Sequence, residues 1–200
     1  MPKNVDHDQR RRELAEAVWR VIRRTGVDGA SVRAAAHEAG WSAGALRHYF
    51  RTQSELLDFA IDLAAERISQ RVGALELADD PRGAVEQLLS ELLPLDDERR
   101  AENEVWLAFT ARALIDPELR ARHAEIDAAL RAAALRAVEM LGLPAGRERA
   151  LEAERLHALL DGLALHAAMR PKRMPPRRII AVLRRHLDQL EDKASLPTRA

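Results

Sequence analysis

The sequence contains no cysteine and few aromatic residues among its 200 positions. Without cysteine there is no disulfide framework, no thiolate zinc site and no cysteine nucleophile, so nothing requires an oxidising compartment. The chain also lacks a basic-then-apolar leader and any apolar run long enough to span a bilayer. We therefore expect a soluble cytoplasmic protein that makes no membrane contact.

Sequence motifs of enzymes are scarce as well. There is no glycine-rich phosphate loop, no Gly-x-Ser-x-Gly elbow and no His-Glu-x-x-His helix. Glu154 and His157 form one Glu-x-x-His pair of the di-iron type, but that chemistry needs two such pairs and two further carboxylates. His157 and His166 cannot easily share a metal, since nine residues at 100° each place them on opposite sides of one helix. We predict no cofactor, no metal and no enzymatic activity.

Alanine, leucine, arginine and glutamate dominate the composition, whereas β-branched and aromatic residues are sparse. Unbranched side chains lose little rotamer freedom in a helix, so this composition favours helix over strand. Glycine, proline and aspartate mark breaks at residues 26–30, 40–42, 79–83, 94–97, 116–117, 142–146 and 171–176. The sequence therefore predicts an all-α fold of about nine helices.

Positive charge is concentrated near the N-terminus, although the formal net charge of the chain is zero. Up to Arg51 there are ten lysines and arginines against six aspartates and glutamates, a local excess of four. Binding to phosphates depends on local Lys and Arg density, so this excess is compatible with a nucleic-acid partner. An ordinary solvated helix surface accounts for it equally well.

The segment 31–50, SVRAAAHEAGWSAGALRHYF, is the most informative part of the sequence. Two short helices joined by a glycine-containing turn are the framework of a helix-turn-helix. Ser31 suits the N-cap of the first helix, Gly40 the left-handed turn and Ser42 the N-cap of the second. The outer surface of the second helix then carries Ala43, Gly44, Arg47, His48 and Tyr49.

These outer residues fit the groove of DNA. Small residues at the helix start let the backbone approach the groove floor, and Arg47 is placed to reach guanine O6 and N7. His48 and Tyr49 are placed to hold phosphates. The next helix opens with the capping box Thr52-Gln53-Ser54-Glu55, in which we expect Thr52 and Glu55 to satisfy each other's backbone donors.

The run AGWSAGALRHYF followed by RTQSELL resembles the TetR-family signature, whose usual form is a Val-Ser pair, a Gly-x-Leu, a Tyr-x-Tyr-Phe and a Ser-Lys-x-x-Leu. The resemblance implies DNA contacts at Ser31, Arg33, Ser42, Ala43, Gly44, Arg47, His48 and Tyr49. Arg47 stands where the family more often has tyrosine, and Gln53 where it usually has a phosphate-binding lysine. Gln53 can donate a hydrogen bond but carries no charge, so we expect a salt dependence weaker by about one phosphate contact.

The stretch LLPLDDERRAENEVWLAFTARALIDPELRARH resembles the regulatory half of the BetI-like branch of that family. The resemblance implies a homodimer in which the last two helices of each subunit form a four-helix bundle. One apolar face that agrees with such a bundle comprises Leu156, Leu159, Leu160, Leu163 and Ala167; a second comprises Ile179, Leu183, Leu187 and Leu190. An intramolecular core is the alternative for both faces.

We divide the chain into a helix-turn-helix DNA-binding domain (1–52), a ligand-binding and dimerisation helical domain (53–192) and a flexible tail (193–200). Ligand sites of the family lie between the middle helices of the regulatory half, and such sites need apolar walls with a few polar anchors. Our candidates are Trp106, Phe109, Arg112, His123, His166 and Met169. Core packing is the stronger alternative for Trp106 and Phe109, and pairing with an acidic residue is the commoner fate of an arginine such as Arg112.

The resemblance thus implies a repressor that binds a palindromic operator as a homodimer and responds to a small-molecule effector. Two recognition helices would enter successive major grooves about 34 Å apart. Two other classes stay open at this point. Sequence-blind, salt-dependent DNA binding would favour a helical nucleoid-type protein without an effector, and stoichiometric bound iron would favour a metal-dependent helical-bundle enzyme.

Overall fold

The structure is a computed structural model that describes residues 3–42 and 49–195. Eight helices and no strand occur in these ranges, which confirms the all-α prediction. The helices are α1 (Lys3–Gly29), α2 (Val32–Ala39), α3 (Gln53–Gly73), α4 (Pro81–Ser90), α5 (Asp97–Ala113), α6 (Pro117–Met140), α7 (Arg147–Met169) and α8 (Pro176–Ala194). The short helix expected after Ser42 lies outside the described residues. No described helix is both long and apolar enough to cross a membrane.

Local capping signals place the ends of the short helices. The Oγ of Ser31 accepts a hydrogen bond from the backbone N–H of Ala34 at 3.1 Å, and Gly40 ends α2 with a left-handed φ of 69°. At the start of α4, a carboxylate oxygen of Asp80 accepts from the N–H of Gly83 at 2.7 Å. The predicted breaks at 40–42 and 79–83 are thereby confirmed.

The predicted capping box before α3 forms on one side only. The N–H of Glu55 donates to Thr52 Oγ1 at 3.1 Å, as expected. The carboxylate of Glu55 accepts instead from the N–H of Arg51 at 2.6 Å. The glutamate side chain therefore reaches one residue further back than the expected partner and bonds the loop that leads into the helix.

Internal contacts divide the chain into two compact units. The first consists of residues 1–67 and 104–120, and the second of residues 68–103 and 121–200. The sequence-based division at residue 52 stays a prediction, as does the flexible tail. Helix α8 extends to Ala194, and residues 196–200 lie outside the described part of the chain.

The core of the first unit is built on the apolar stripe of α1. Helices α1 and α2 pack against each other, and the stripe residues are at most 1% exposed. The buried side chains are Leu14, Ala17, Val18, Val21 and Ile22 from α1, and Ala35 and Ala36 from α2. The short alanine side chains let the two helices come close, because nothing beyond Cβ separates them.

The core of the second unit contains the two apolar faces that the sequence assigned to a dimer bundle. Leu156 on α7 and Ile179, Leu183 and Leu187 on α8 are 0% exposed in the single chain. Helices α7 and α8 pack on each other, and α8 also packs on α4. One chain therefore already buries these faces, as the intramolecular alternative expects, and the four-helix bundle between subunits stays a prediction.

The backbone of α1 is interrupted at Gly26, where φ is 71° and ψ is 175°. This region of backbone space is accessible almost only to glycine. The sequence predicted that the first helix ends at Gly26. The helical backbone is interrupted at that residue, and further helical residues follow it up to Gly29. The glycine therefore sets the direction in which the chain approaches α2.

Replacing Gly26 with alanine should destabilise the protein by about 1–3 kcal/mol, because a Cβ strains this conformation. Gly73→Ala is the matched control: Gly73 has no positive φ, and a Cβ there meets no atom within 4 Å. The control should leave stability unchanged or raise it by about 0.4–1 kcal/mol. Denaturant unfolding measures both, and equal free energies of unfolding for the two variants would contradict the strain at Gly26.

Candidate nucleic-acid interface

Helix α2 is held on α1 by a charged clamp as well as by its alanines. The carboxylate of Glu38 accepts hydrogen bonds from Arg20 Nε and Arg24 Nη2, both at 2.9 Å. Arg20 and Arg24 lie one turn apart on α1, so a single carboxylate bonds both. Their hydrogen bonds lower the pKa of Glu38. Two of the ten cations counted near the N-terminus are thus used inside the protein.

The first turn of α2 presents two of the predicted DNA contacts. Ser31 is half-buried and accepts through Oγ from the helix N-terminus, while its hydroxyl proton remains a donor. Arg33 lies in the same turn and is exposed. Free backbone N–H groups at a helix start also favour anions. The structure brings these two residues together, and their contact with DNA stays a prediction.

The turn after α2 leads toward the predicted recognition helix. The N–H of Trp41 donates to the carbonyl of Ala36 at 2.9 Å, which closes the helix end around Gly40. After residues 43–48, the description resumes at Tyr49, whose ring centroid lies 5.7 Å from that of Trp41. Phe50 is buried, and its ring centroid lies 5.0 Å from that of Phe59. Ser42 is exposed. Ala43, Gly44, Arg47 and His48 lie outside the described residues.

Gln53, at the start of α3, has a structural contact that the sequence did not predict. Its Nε2 donates to the carbonyl oxygen of Ala30 at 2.6 Å, which ties α3 to the loop before α2. One amide proton is used in this bond, and the other leaves Gln53 capable of donating to a phosphate. The residue therefore positions the interface, whether or not it touches DNA.

A second contact missed by the sequence joins α3 to the start of α6 within the first unit. Ser54 Oγ donates to Asp116 Oδ2 at 2.8 Å, and Asp116 Oδ1 accepts from the N–H of Glu118 at 3.1 Å. The bond from Ser54 lowers the pKa of Asp116. The Asp116-Pro117 pair is a recognisable helix start, but no local pattern points to a partner 62 positions away.

The six candidate ligand residues are divided between the two units. In the first unit, Trp106 and Phe109 stack with ring centroids 6.3 Å apart, Phe109 is fully buried, and Arg112 is exposed with Nε 3.9 Å from Asp116. The remaining candidates belong to the second unit: His123 is half-buried, and His166 and Met169 are exposed near the end of α7. A ligand role for these residues stays a prediction.

Comparisons with known proteins identify the class of this chain, the helix-turn-helix transcriptional regulators. A family model described as "BetI-type transcriptional repressor, C-terminal" matches residues 81–191. The HTH-type transcriptional regulator PksA of Bacillus subtilis (strain 168) is 44% identical over 192 residues, which cover 95% of this chain and 94% of PksA.

Solved structures agree with the sequence relatives. A transcriptional regulator from Rhodococcus sp. Rha1 matches with a TM-score of 0.79 and 32% identity, covering 94% of this chain and 99% of its own. The multidrug binding protein EbrR complexed with proflavin matches with a TM-score of 0.59 and 26% identity, covering 88% and 99%.

The chain belongs to the TetR family of ligand-responsive transcriptional regulators, in its BetI-type branch. The resemblance predicted from the sequence is confirmed. Because the family and these relatives are regulators, the prediction of a non-enzymatic protein is confirmed too.

Glu38→Gln should destabilise the first unit at neutral pH, because it removes the charge that Arg20 and Arg24 bond. The lowered pKa means that the carboxylate stabilises the fold above its unfolded pKa, and that this contribution disappears as pH falls through the folded pKa. Denaturant titrations across acidic and neutral pH should show the wild-type advantage shrinking toward acid. Glu66→Gln, at an exposed position of α3, is the control. A stability difference that is independent of pH would rule out the clamp.

Proposed function

We propose that this regulator is a repressor that binds a palindromic operator as a homodimer and dissociates when a small effector binds. The observation that supports this proposal most directly is the geometry of α2. Glu38 holds this helix on α1, the helix ends in the Gly40 turn, and Arg33 is exposed at its start. A recognition helix that enters the major groove must be held rigidly by the helices around it. In this proposal, the helix predicted after Ser42 is the recognition helix.

Contacts with phosphates and with bases have separate roles in this proposal. Ser31 and Arg33 lie at the start of α2, and Gln53 is tied to the loop before it. These three residues would bind the phosphate backbone, which positions the protein without reading sequence. Ser42, His48 and Tyr49 would add further backbone contacts, and Ala43 and Gly44 would admit the helix close to the bases. Arg47 would read guanine, because its guanidinium matches O6 and N7 in the major groove.

The proposed dimer interface uses a second face of α7. Leu151, Leu165 and Met169 are 49%, 46% and 71% exposed. Ala158 and Gly162 lie between them, and the spacings of 7, 11, 14 and 18 residues from Leu151 put all five on one stripe. Small residues at the centre admit the backbone of a partner helix, and a two-fold axis would pair the stripe with itself.

The proposed effector is a small organic molecule bound by the regulatory helices. EbrR, a relative of similar fold, was solved with proflavin, which supports a small-molecule effector here. Trp106, Phe109, Arg112, His123, His166 and Met169 stay the candidate contacts. Binding that favours an arrangement unable to span successive grooves would weaken DNA binding by about 1–3 kcal/mol of coupling.

Two arginine variants test the DNA contacts by fluorescence anisotropy on fragments flanking the reading frame of the gene. Arg33→Ala should weaken binding to all sequences alike and reduce the slope of log affinity against log salt by about 1. Arg47→Ala should cost about 1–3 kcal/mol on the operator and relax the preference at one base pair. Arg185→Ala, exposed on α8, should change neither quantity. If all three variants bind like the wild type, the interface lies elsewhere.

Gly162→Arg tests the dimer. A Cβ at Gly162 meets no atom within 4 Å, and arginine is a better helix former than glycine, so the single chain should stay folded. Across a two-fold axis the two arginines would repel, so we expect a monomer in sedimentation and a loss of operator binding. Ala168→Arg, exposed on α7 but off the stripe, should remain dimeric. A dimeric Gly162→Arg would remove this stripe from the interface.

A further inference from the structure

The longest part of the sequence without an acidic residue spans the junction of α7 and α8. Residues 162–187 contain no aspartate or glutamate and seven lysines and arginines. The N-terminal segment up to Arg51, by comparison, has an excess of four positive charges over about twice that length. Positive charge is therefore denser at this junction than in the part of the chain assigned to DNA binding.

Five of these seven cations lie within nine consecutive residues, and all five are exposed. We call this cluster the basic turn, and its members are Arg170, Lys172, Arg173, Arg177 and Arg178. None of the five side chains makes a salt bridge or a hydrogen bond to a described residue. The other two cations are Arg184, which bonds Glu86 at 2.8 Å, and Arg185, which lies two turns beyond Arg178 on α8.

Elsewhere in the second unit, most cations bond a carboxylate. The paired ones are Arg71, Arg82, Arg99, Arg100, Arg122, Arg131, Arg149, Arg155, Arg184 and Lys193. The carboxylates compensate the charge of these side chains and hold them on the protein surface. The basic turn differs because it concentrates uncompensated positive charge in one place.

Helix stability does not account for the arginines at the start of α8. Arg177 and Arg178 lie in the first turn of this helix, which contains no acidic residue. The N-terminus of a helix is the positive end of its dipole, so cations there are unfavourable and anions are favourable. Arg170 differs, because it follows the C-terminus of α7, where a cation is favourable. An external anion therefore explains Arg177 and Arg178 better than the needs of the helix do.

The backbone that carries the basic turn is fixed by hydrogen bonds. The carbonyl of Arg170 accepts from the N–H groups of Arg173 and Met174, both at 2.9 Å. The carbonyl of Pro175 accepts from the N–H of Arg178 at 2.8 Å, and the side chain of Met174 packs against the core of the second unit. The five cations therefore project from an ordered backbone, which reduces the entropy cost of binding a partner.

We propose that the basic turn is a second DNA-binding surface, separate from the helix-turn-helix, which contacts phosphates without reading sequence. Exposed ion pairs are individually weak, so a small anion would gain little here. A polymer with regularly spaced phosphates engages several cations together and releases its condensed counterions. Four of the five residues are arginines, whose planar guanidinium donates two parallel hydrogen bonds to a phosphate.

Duplex DNA is the polyanion to which we assign this surface, and the assignment rests on the proposed function. A protein held on its operator by the helix-turn-helix keeps other phosphates of the duplex at a high effective concentration. Contacts too weak to bind DNA alone then add to the affinity of the whole protein. The basic turn would thus strengthen binding to operator and other DNA alike.

The test compares two double charge reversals in the full-length protein. Arg177→Glu with Arg178→Glu reverses two cations of the basic turn, and glutamate is favourable in the first turn of a helix, so the fold should be retained. Arg136→Glu with Arg147→Glu is the matched control, which changes the net charge equally at exposed positions. Arg147 begins α7, about 33 Å along that helix from Met169.

Fluorescence anisotropy measures binding to a labelled random-sequence duplex over a series of salt concentrations. The basic-turn variant should bind about tenfold or more weakly at low salt. Its slope of log affinity against log salt should be smaller by about 2, because each lost phosphate contact removes about 0.9. The control variant should match the wild type in affinity and slope, and thermal unfolding checks that both variants are folded.

Three outcomes would overturn the assignment. The basic-turn variant binds DNA like the wild type; both variants lose affinity equally, which would indicate an effect of net charge; or the reversal leaves DNA binding unchanged but abolishes binding to vesicles of equal parts phosphatidylcholine and phosphatidylserine, which would indicate a membrane surface. A wild type that prefers no operator over random DNA would instead overturn the proposed function. The comparison on the random duplex would still stand in that case, so the two failures are distinguishable.

Discussion

The position of α2 on α1 is the constraint on which the DNA-binding part of the molecule depends. Ala35 and Ala36 let the helix axes approach closely, and the Glu38 carboxylate fixes the remaining rotation by bonding two arginines of α1. Ser31 and Arg33 obtain their places from this packing, because both belong to the first turn of α2. Gln53 then ties α3 to the same loop through Ala30. Residues that never touch DNA therefore determine where those that would do so are held.

Helix identity and short-range caps were predictable from the sequence, because their causes lie within a few residues. Ser31 and Gly40 bound α2 through bonds that span three to five positions. The partners of Glu38 lie 14 and 18 positions away, and both arginines had been counted as candidates for phosphate. Charge counting cannot distinguish an arginine facing solvent from one facing a carboxylate on the next helix. The roles of residues 43–48, which include Arg47, rest on the sequence pattern and the family resemblance.

Helix α7 shows why apolar periodicity alone cannot assign a dimer face. Its strongest apolar stripe, through Leu156, Leu160 and Leu163, was correctly predicted to be buried, but periodicity does not say against what. Folding of one chain uses that stripe completely. The dimer proposed above needs another apolar face on α7, and the weaker stripe through Leu151, Leu165 and Met169 has that character. Two apolar faces on one helix look like a single broad one in the sequence.

The same helix shows which neighbours of a residue can be read from sequence spacing and which cannot. His157 was tested against His166, which helix geometry places on the opposite side of α7. The relevant neighbours are Asp161, four positions along the same face, and Asp127 on α6, which only the packing of the two helices reveals.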